Sequence, residues 1–187
     1  SEDFLVILDD NVTMVGMDSA NATVYDDAWT AGDDGGSGLA GWTTSDNNDG
    51  STLYAGYFIG DSTSGSSGNV NTAGESFGIY ANPAGARANA ERMFDASLGV
   101  GQTFSIRLAV NFRNGNKGID LFGPGGNGQK LWNFNVGNNS GDDYYFEDKI
   151  NSPGTKVSLG LAYEADSVFT LLFEQKATNV VRVSIVR

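Results

Sequence analysis

The 187 residues predict an all-β fold, an antiparallel β-sandwich with long Gly/Asp/Asn-rich loops. Two observations carry this. Apolar residues recur with a period of two, which lines them up on one face of a strand. Clusters of Gly, Asp, Asn and Ser, which adopt turn conformations at little cost, interrupt that alternation again and again. Many short strands punctuated in this way pack most readily as two antiparallel sheets.

The clearest element runs from Thr103 to Phe112, where Phe104, Ile106, Leu108, Val110 and Phe112 alternate with Thr103, Ser105, Arg107, Ala109 and Asn111. Shorter runs of the same kind span Phe4 to Leu8, Val12 to Met17, Tyr54 to Ile59, Ser76 to Ala81 and Ile119 to Phe122. Others span Leu131 to Val136, Val157 to Tyr163, Val168 to Phe173 and Val180 to Val186. Tyr144-Tyr145-Phe146 is expected to put one face in the core and one outside. One stretch, Ala84 to Phe94, is open to a helical reading because of its alanines. Alternation of its small residues in an otherwise β-type chain favours a strand. The chain is long enough to bury a sizeable core and fits one domain, residues 1–187, with no internal repeat.

Composition narrows the chemistry. There is no histidine and no cysteine, so neither a Ser-His-Asp nor a Cys-His nucleophile can be assembled, nor a zinc site with nitrogen or sulfur ligands. Eleven basic residues against 23 acidic ones give a net charge of −12, which repels nucleic acid and anionic lipid. No run approaches the ~20 apolar residues of a membrane span, so no membrane insertion is expected. Cations and neutral sugars are the natural partners of such a surface. The start at Ser1 and the acidity fit export, and the expected location is secreted or at the cell surface.

Several segments carry a family likeness. They are Tyr25-Asp26-Asp27-Ala28-Trp29, Gly41-Trp42, Glu75 to Tyr80, Gly101 to Phe104, Asn111 to Gly118 and Trp132 to Gly137. Together they resemble domains of secreted bacterial surface and polysaccharide-associated proteins, of the concanavalin A-like, jelly-roll type. The resemblance covers most of the chain from about Thr23 onward. It implies a jelly-roll-like sandwich and an exterior location, and no particular activity, since such folds host lectins, glycosidases, lyases and inert modules. A retaining glycosidase of this type would place its acids in a Glu-x-Asp-x-x-Glu-like run. Glu164-Ala165-Asp166 begins one, but no second Glu follows, and the expectation is that the chain is not an enzyme.

Two binding chemistries remain. Pyranose faces stack on aromatic rings, which makes Trp29 and Trp42, bracketing a Gly/Asp loop, and then Tyr54 and Tyr57 the carbohydrate candidates. The competing reading of every Trp is core packing, and Trp132 within its alternating strand fits that reading better. Calcium takes six to eight oxygens, which flexible acidic loops supply. The candidates are Asp26, Asp27, Asp33 and Asp34 first, then Asp46 with Asp49, and Asp142 with Asp143. The same residues are also ordinary turn formers.

A further expectation comes from the chain ends. Phe4 to Leu8 and Val180 to Val186 are strongly β-prone, and terminal strands can complete a neighbour's sheet and build a filament. Pairing inside the same sandwich is the competing reading. The sequence therefore points to a non-catalytic extracellular carbohydrate-binding or surface module, assisted by calcium and partnered by a polysaccharide or glycan. The alternative is a structural surface subunit that self-assembles as a homo-oligomer or filament through its terminal strands.

Overall fold

The structure is a computed structural model that describes residues 16–61, 75–113, 115–124, 129–137, 143–165 and 167–187. The expected strands at Phe4 to Leu8 and over most of Val12 to Met17 lie outside the described residues, as does Asp142. Within them the chain is all-β. Its strands are β1 (Thr43–Asp46), β2 (Tyr54–Asp61), β3 (Glu75–Asn82), β4 (Ala88–Glu91), β5 (Thr103–Ala109), β6 (Lys117–Phe122), β7 (Lys130–Val136), β8 (Asp143–Asp148), β9 (Val157–Ala162), β10 (Val168–Ala177) and β11 (Val180–Val186). One 3₁₀ turn occupies Thr23–Tyr25.

Two antiparallel sheets, ordered β11-β10-β5 and β6-β7-β8-β9, form the sandwich. Alternation supplies its core. Phe169, Leu171 and Phe173 of β10 meet Trp132, Phe134 and Val136 of β7 and Tyr144 of β8. Ring centroids lie 5.2 Å apart for Trp132 and Phe173, 5.3 Å for Phe134 and Phe169, and 4.4 Å for Tyr144 and Phe169. Burial pushes the Tyr144 phenol up to about 12.

The expected strand from Thr103 stops at Ala109, and Phe112 is 77% exposed instead of facing inward. The cause is pairing: β10 begins at Val168 opposite Ala109, so beyond that residue the alternation has no partner strand. Tyr144 and Phe146 face the core and Tyr145 the other side, the expected alternation, but Tyr145 is buried as well. Lys156 lies over the outward-facing Tyr145 ring at 4.7 Å, and the Tyr145 hydroxyl donates to Asn116 at 3.2 Å. The stretch Ala84 to Phe94 contains strand β4, paired with β1, and no helix. β1 is an addition to the expected strands, and β8 extends the expected alternation of Tyr144-Tyr145-Phe146 to Asp143–Asp148.

The segment before β5 is organised around the β2–β3 hairpin and the β1–β4 ladder. One face of the hairpin, bearing Tyr57 and Phe77, packs on Tyr25, Trp29 and Trp42. Phe94 then sets its edge on Phe104 of β5 at 5.0 Å, carrying apolar contact onward to the sandwich.

Candidate functional site

The β2–β3 ladder pairs without a shift from Tyr54 opposite Asn82 to Asp61 opposite Glu75. Side chains alternate across it, so Tyr54, Gly56, Phe58 and Gly60 share a face with Asn82, Tyr80, Gly78 and Ser76. This is the face turned away from Trp29. Each of its two central aromatics stands opposite a glycine: Tyr80 faces Gly56, and Phe58 faces Gly78. With no Cβ in the way, the rings lean onto the neighbouring strand. A Cβ placed on Gly78 would lie 2.3 Å from Phe58 Cζ, and one on Gly56 would lie 2.9 Å from the Tyr80 hydroxyl. The two rings are 6.3 Å apart. Tyr54, Phe58 and Tyr80 keep 48%, 46% and 45% of their surface exposed, forming an aromatic strip on a sheet face. The Tyr54 hydroxyl is fixed by donating to the Ser51 carbonyl at 3.0 Å.

Of the aromatic candidates, Tyr54 alone lies on this strip. Tyr57 points to the opposite face, where its ring meets Trp29 at 5.6 Å and its hydroxyl donates to the Asn89 carbonyl at 3.0 Å. Burial raises the Tyr57 phenol above its ordinary value. Trp29 is only 4% exposed, enclosed by Trp42 at 4.9 Å and Phe77 at 4.8 Å. Trp42 is half-buried, and its indole N–H donates to Tyr25 Oη and Asp18 Oδ2 at 3.1 and 3.2 Å. Trp132 is in the sandwich core, as its alternating strand required.

Beneath the Trp29–Trp42 pair lies a buried ionic knot. The Arg92 guanidinium, 5% exposed, pairs with Asp18, 7% exposed, and with Asp34 on the loop. It also donates from Nε to the Ala40 carbonyl at 2.6 Å and stacks 5.1 Å from the Trp42 ring centroid. Tyr25 donates to Asp18 at 2.6 Å while its hydroxyl oxygen accepts from Gly35 N–H at 3.0 Å. Burial, with the Asp18 hydrogen bond second, raises the Tyr25 phenol above its ordinary value. Three segments far apart in sequence are held there by one cation.

The candidate calcium ligands have local roles. Asp33 accepts from Thr30 N–H at 2.6 Å, Asp34 takes Arg92, and Asp27 accepts from Ala28 N–H at 2.9 Å. Asp46 accepts from Asn48 N–H at 3.0 Å, and Asp143 accepts from the Ser158 hydroxyl at 2.9 Å. Asp49 closes its turn, accepting from the Thr52 hydroxyl at 2.5 Å and from the backbone of Ser51, Thr52 and Leu53. The Thr52 hydroxyl and those amides hold the Asp49 carboxyl far below the usual range. Asp26 and Asp27 are exposed side by side after the 3₁₀ turn. Among the described residues no three His, Cys, Asp or Glu side chains converge on a metal-sized space. A shallow depression of about 310 Å³, lined by Ser45, Asp46, Asn47, Arg87 and Asn89, lies on the β1–β4 side, away from the aromatic strip.

Phe58 and Tyr80 belong to the site although neither is among the carbohydrate candidates expected from the sequence. Their signal is an aromatic-x-glycine alternation, Tyr54-x-Gly56-x-Phe58-x-Gly60 on one strand and Gly78-x-Tyr80 on the next. Comparison with protein-family models, with curated proteins and with solved structures found no match.

Proposed function

We propose that the chain is a non-catalytic extracellular carbohydrate-binding module whose binding surface is the Tyr54–Tyr80–Phe58 strip. The exposed aromatic face is the observation that supports it. Half-exposed rings on a sheet cost hydration unless they meet an apolar face. The C–H face of a pyranose supplies one and leaves the hydroxyls to polar neighbours such as Asn82 and Ser76. The concanavalin A-like resemblance agrees with this reading. Calcium belongs to it as a loop-ordering ion on the exposed Asp26–Asp27 pair, with backbone and water oxygens completing the shell. Affinity electrophoresis through gels containing neutral polysaccharides is the test. Retardation in at least one gel is the expected result, and free migration in every one overturns the reading.

A second reading has its own observation. β11 is an edge strand, with β10 on one side and no described strand on the other, and it exposes Val180, Val181 and Val186. An edge of this kind can accept a neighbour's strand and propagate a filament. Light scattering across protein concentration, with calcium and with chelator, discriminates the two: a mass constant at 19.7 kDa supports the binding module, and a rising mass the assembling subunit.

A further inference from the structure

The aromatic strip has a spacing as well as a composition. Along the ladder the successive positions are Tyr54, then Tyr80 opposite Gly56, then Phe58 opposite Gly78. The aromatics thus alternate between the two strands at every second residue, a step of ~7 Å, over a length of ~13 Å. Neither glycine can raise a wall between them, because the rings already occupy the space a Cβ would need. The Phe58 and Tyr80 ring planes are inclined 47° to each other, so the strip is a stepped row of exposed rings. Charge adds a second constraint. The first 94 residues hold 14 of the 23 acidic side chains and only two of the 11 basic ones, so the whole net charge of −12 resides there, while the remainder carries nine of each sign. The ladder ends at Asp61 opposite Glu75, one residue past Gly60 and therefore on the face opposite the strip, and Asp49 lies in the turn leading into Tyr54.

We infer that the strip binds an extended, uncharged polysaccharide side-on, taking the flat faces of successive rings in the interior of the chain. The inference rests on the carbohydrate-binding reading above and specifies its ligand class. A row of aromatics engages several rings of one polymer, whereas a single terminal sugar would use one aromatic and leave the others hydrated. The net negative charge carried by the first 94 residues repels uronates and sulfated chains and leaves neutral ones unopposed. A nucleic acid strand, which also stacks on aromatic rows, is disfavoured by the same charge.

The test is titration calorimetry of the full chain with neutral cello- and manno-oligosaccharides from disaccharide to hexasaccharide, and with oligogalacturonates of matched length. Affinity is expected to rise roughly two- to tenfold for each added ring until the three aromatics are covered, and then to level off. The uronates are expected to bind more weakly at low salt. Tyr80→Leu, which keeps an apolar cover on Gly56 but removes the flat ring, is expected to lower affinity for the longer oligosaccharides about tenfold. Phe58→Leu repeats that test at the second ring. Full affinity already at the disaccharide, tighter binding of uronates, or indifference to both variants overturns the side-on inference while leaving carbohydrate binding standing. Failure of every oligosaccharide here, together with free migration in every polysaccharide gel, overturns both.

Discussion

The ring of Phe58 occupies the space above Gly78 on the neighbouring strand, so closely that a Cβ there would meet Phe58 Cζ at 2.3 Å. Glycine in a strand interior normally weakens the sheet, through chain entropy and the lack of a side chain to pack. Here the aromatic on the adjacent strand supplies the missing cover, and the glycine lets the ring lie low. The two residues form one unit, repeated by Tyr80 over Gly56.

Gly78→Ala should therefore lift the Phe58 ring off the sheet. The expected outcome is weaker polysaccharide retardation than wild type, with the chain still folded by circular dichroism. Retardation equal to wild type would detach the flat ring placement from binding.

Arg92 and Asp18 form a buried pair that joins β-type chain near residue 92 to the loop region beginning at residue 16. Arg92→Met leaves the Asp18 carboxylate without its cation, a loss of about 3–5 kcal/mol for a buried pair. Urea unfolding should report it as a lower midpoint. A shift no larger than that of an exposed pair such as Lys176–Glu174 would show that the knot is not sealed from water.

Trp29 is enclosed by Trp42, Tyr57 and Phe77, so its part is packing. Trp29→Ala is expected to destabilise by about 3–5 kcal/mol, as large aromatic truncations do. Carbohydrate affinity of the folded fraction should be unchanged, measured by calorimetry well below the unfolding midpoint.

Glu147 should contribute to acid sensitivity. The hydrogen bond from Lys149 holds its carboxyl below the ordinary 4.5, although burial opposes this. A depressed folded pKa contributes stability that is present above 4.5 and lost as the pH falls through the lower folded value. Asp148, held down by Asn151, adds to the same trend below its ordinary 3.8. Stability measured against pH should fall on the acid side of 4.5, and Glu147→Gln should flatten that fall.

Calcium added to chelator-treated protein should raise the thermal midpoint, and Asp26→Asn with Asp27→Asn should abolish the rise. A midpoint indifferent to calcium removes the ion from the account.

Where one strand's own alternation decided its fate, the sequence was legible. The run Val180 to Val186 is strand β11 to the residue, and Trp132 sits in the core that its alternation demanded. Facts that depend on a second strand were harder to see. Phe112 continues the pattern of β5 but has no partner beyond Ala109, and Tyr145 is buried by a lysine and an asparagine remote from it in the chain. The site shows the same division. Tyr54 is legible as one of the aromatic candidates, whereas Phe58 and Tyr80 acquire meaning at this site only when register sets each opposite a glycine. Trp29 and Trp42 drew attention as large rings next to an acidic loop, but that loop folds inward through Asp34 and Arg92 and takes them with it.

The most direct measurement is affinity electrophoresis of wild type beside the Phe58→Ala/Tyr80→Ala double variant in a neutral polysaccharide gel, with melting curves recorded for both. The account predicts retardation of the wild type and its loss in the variant at a similar thermal midpoint. Equal retardation of the two proteins would contradict it.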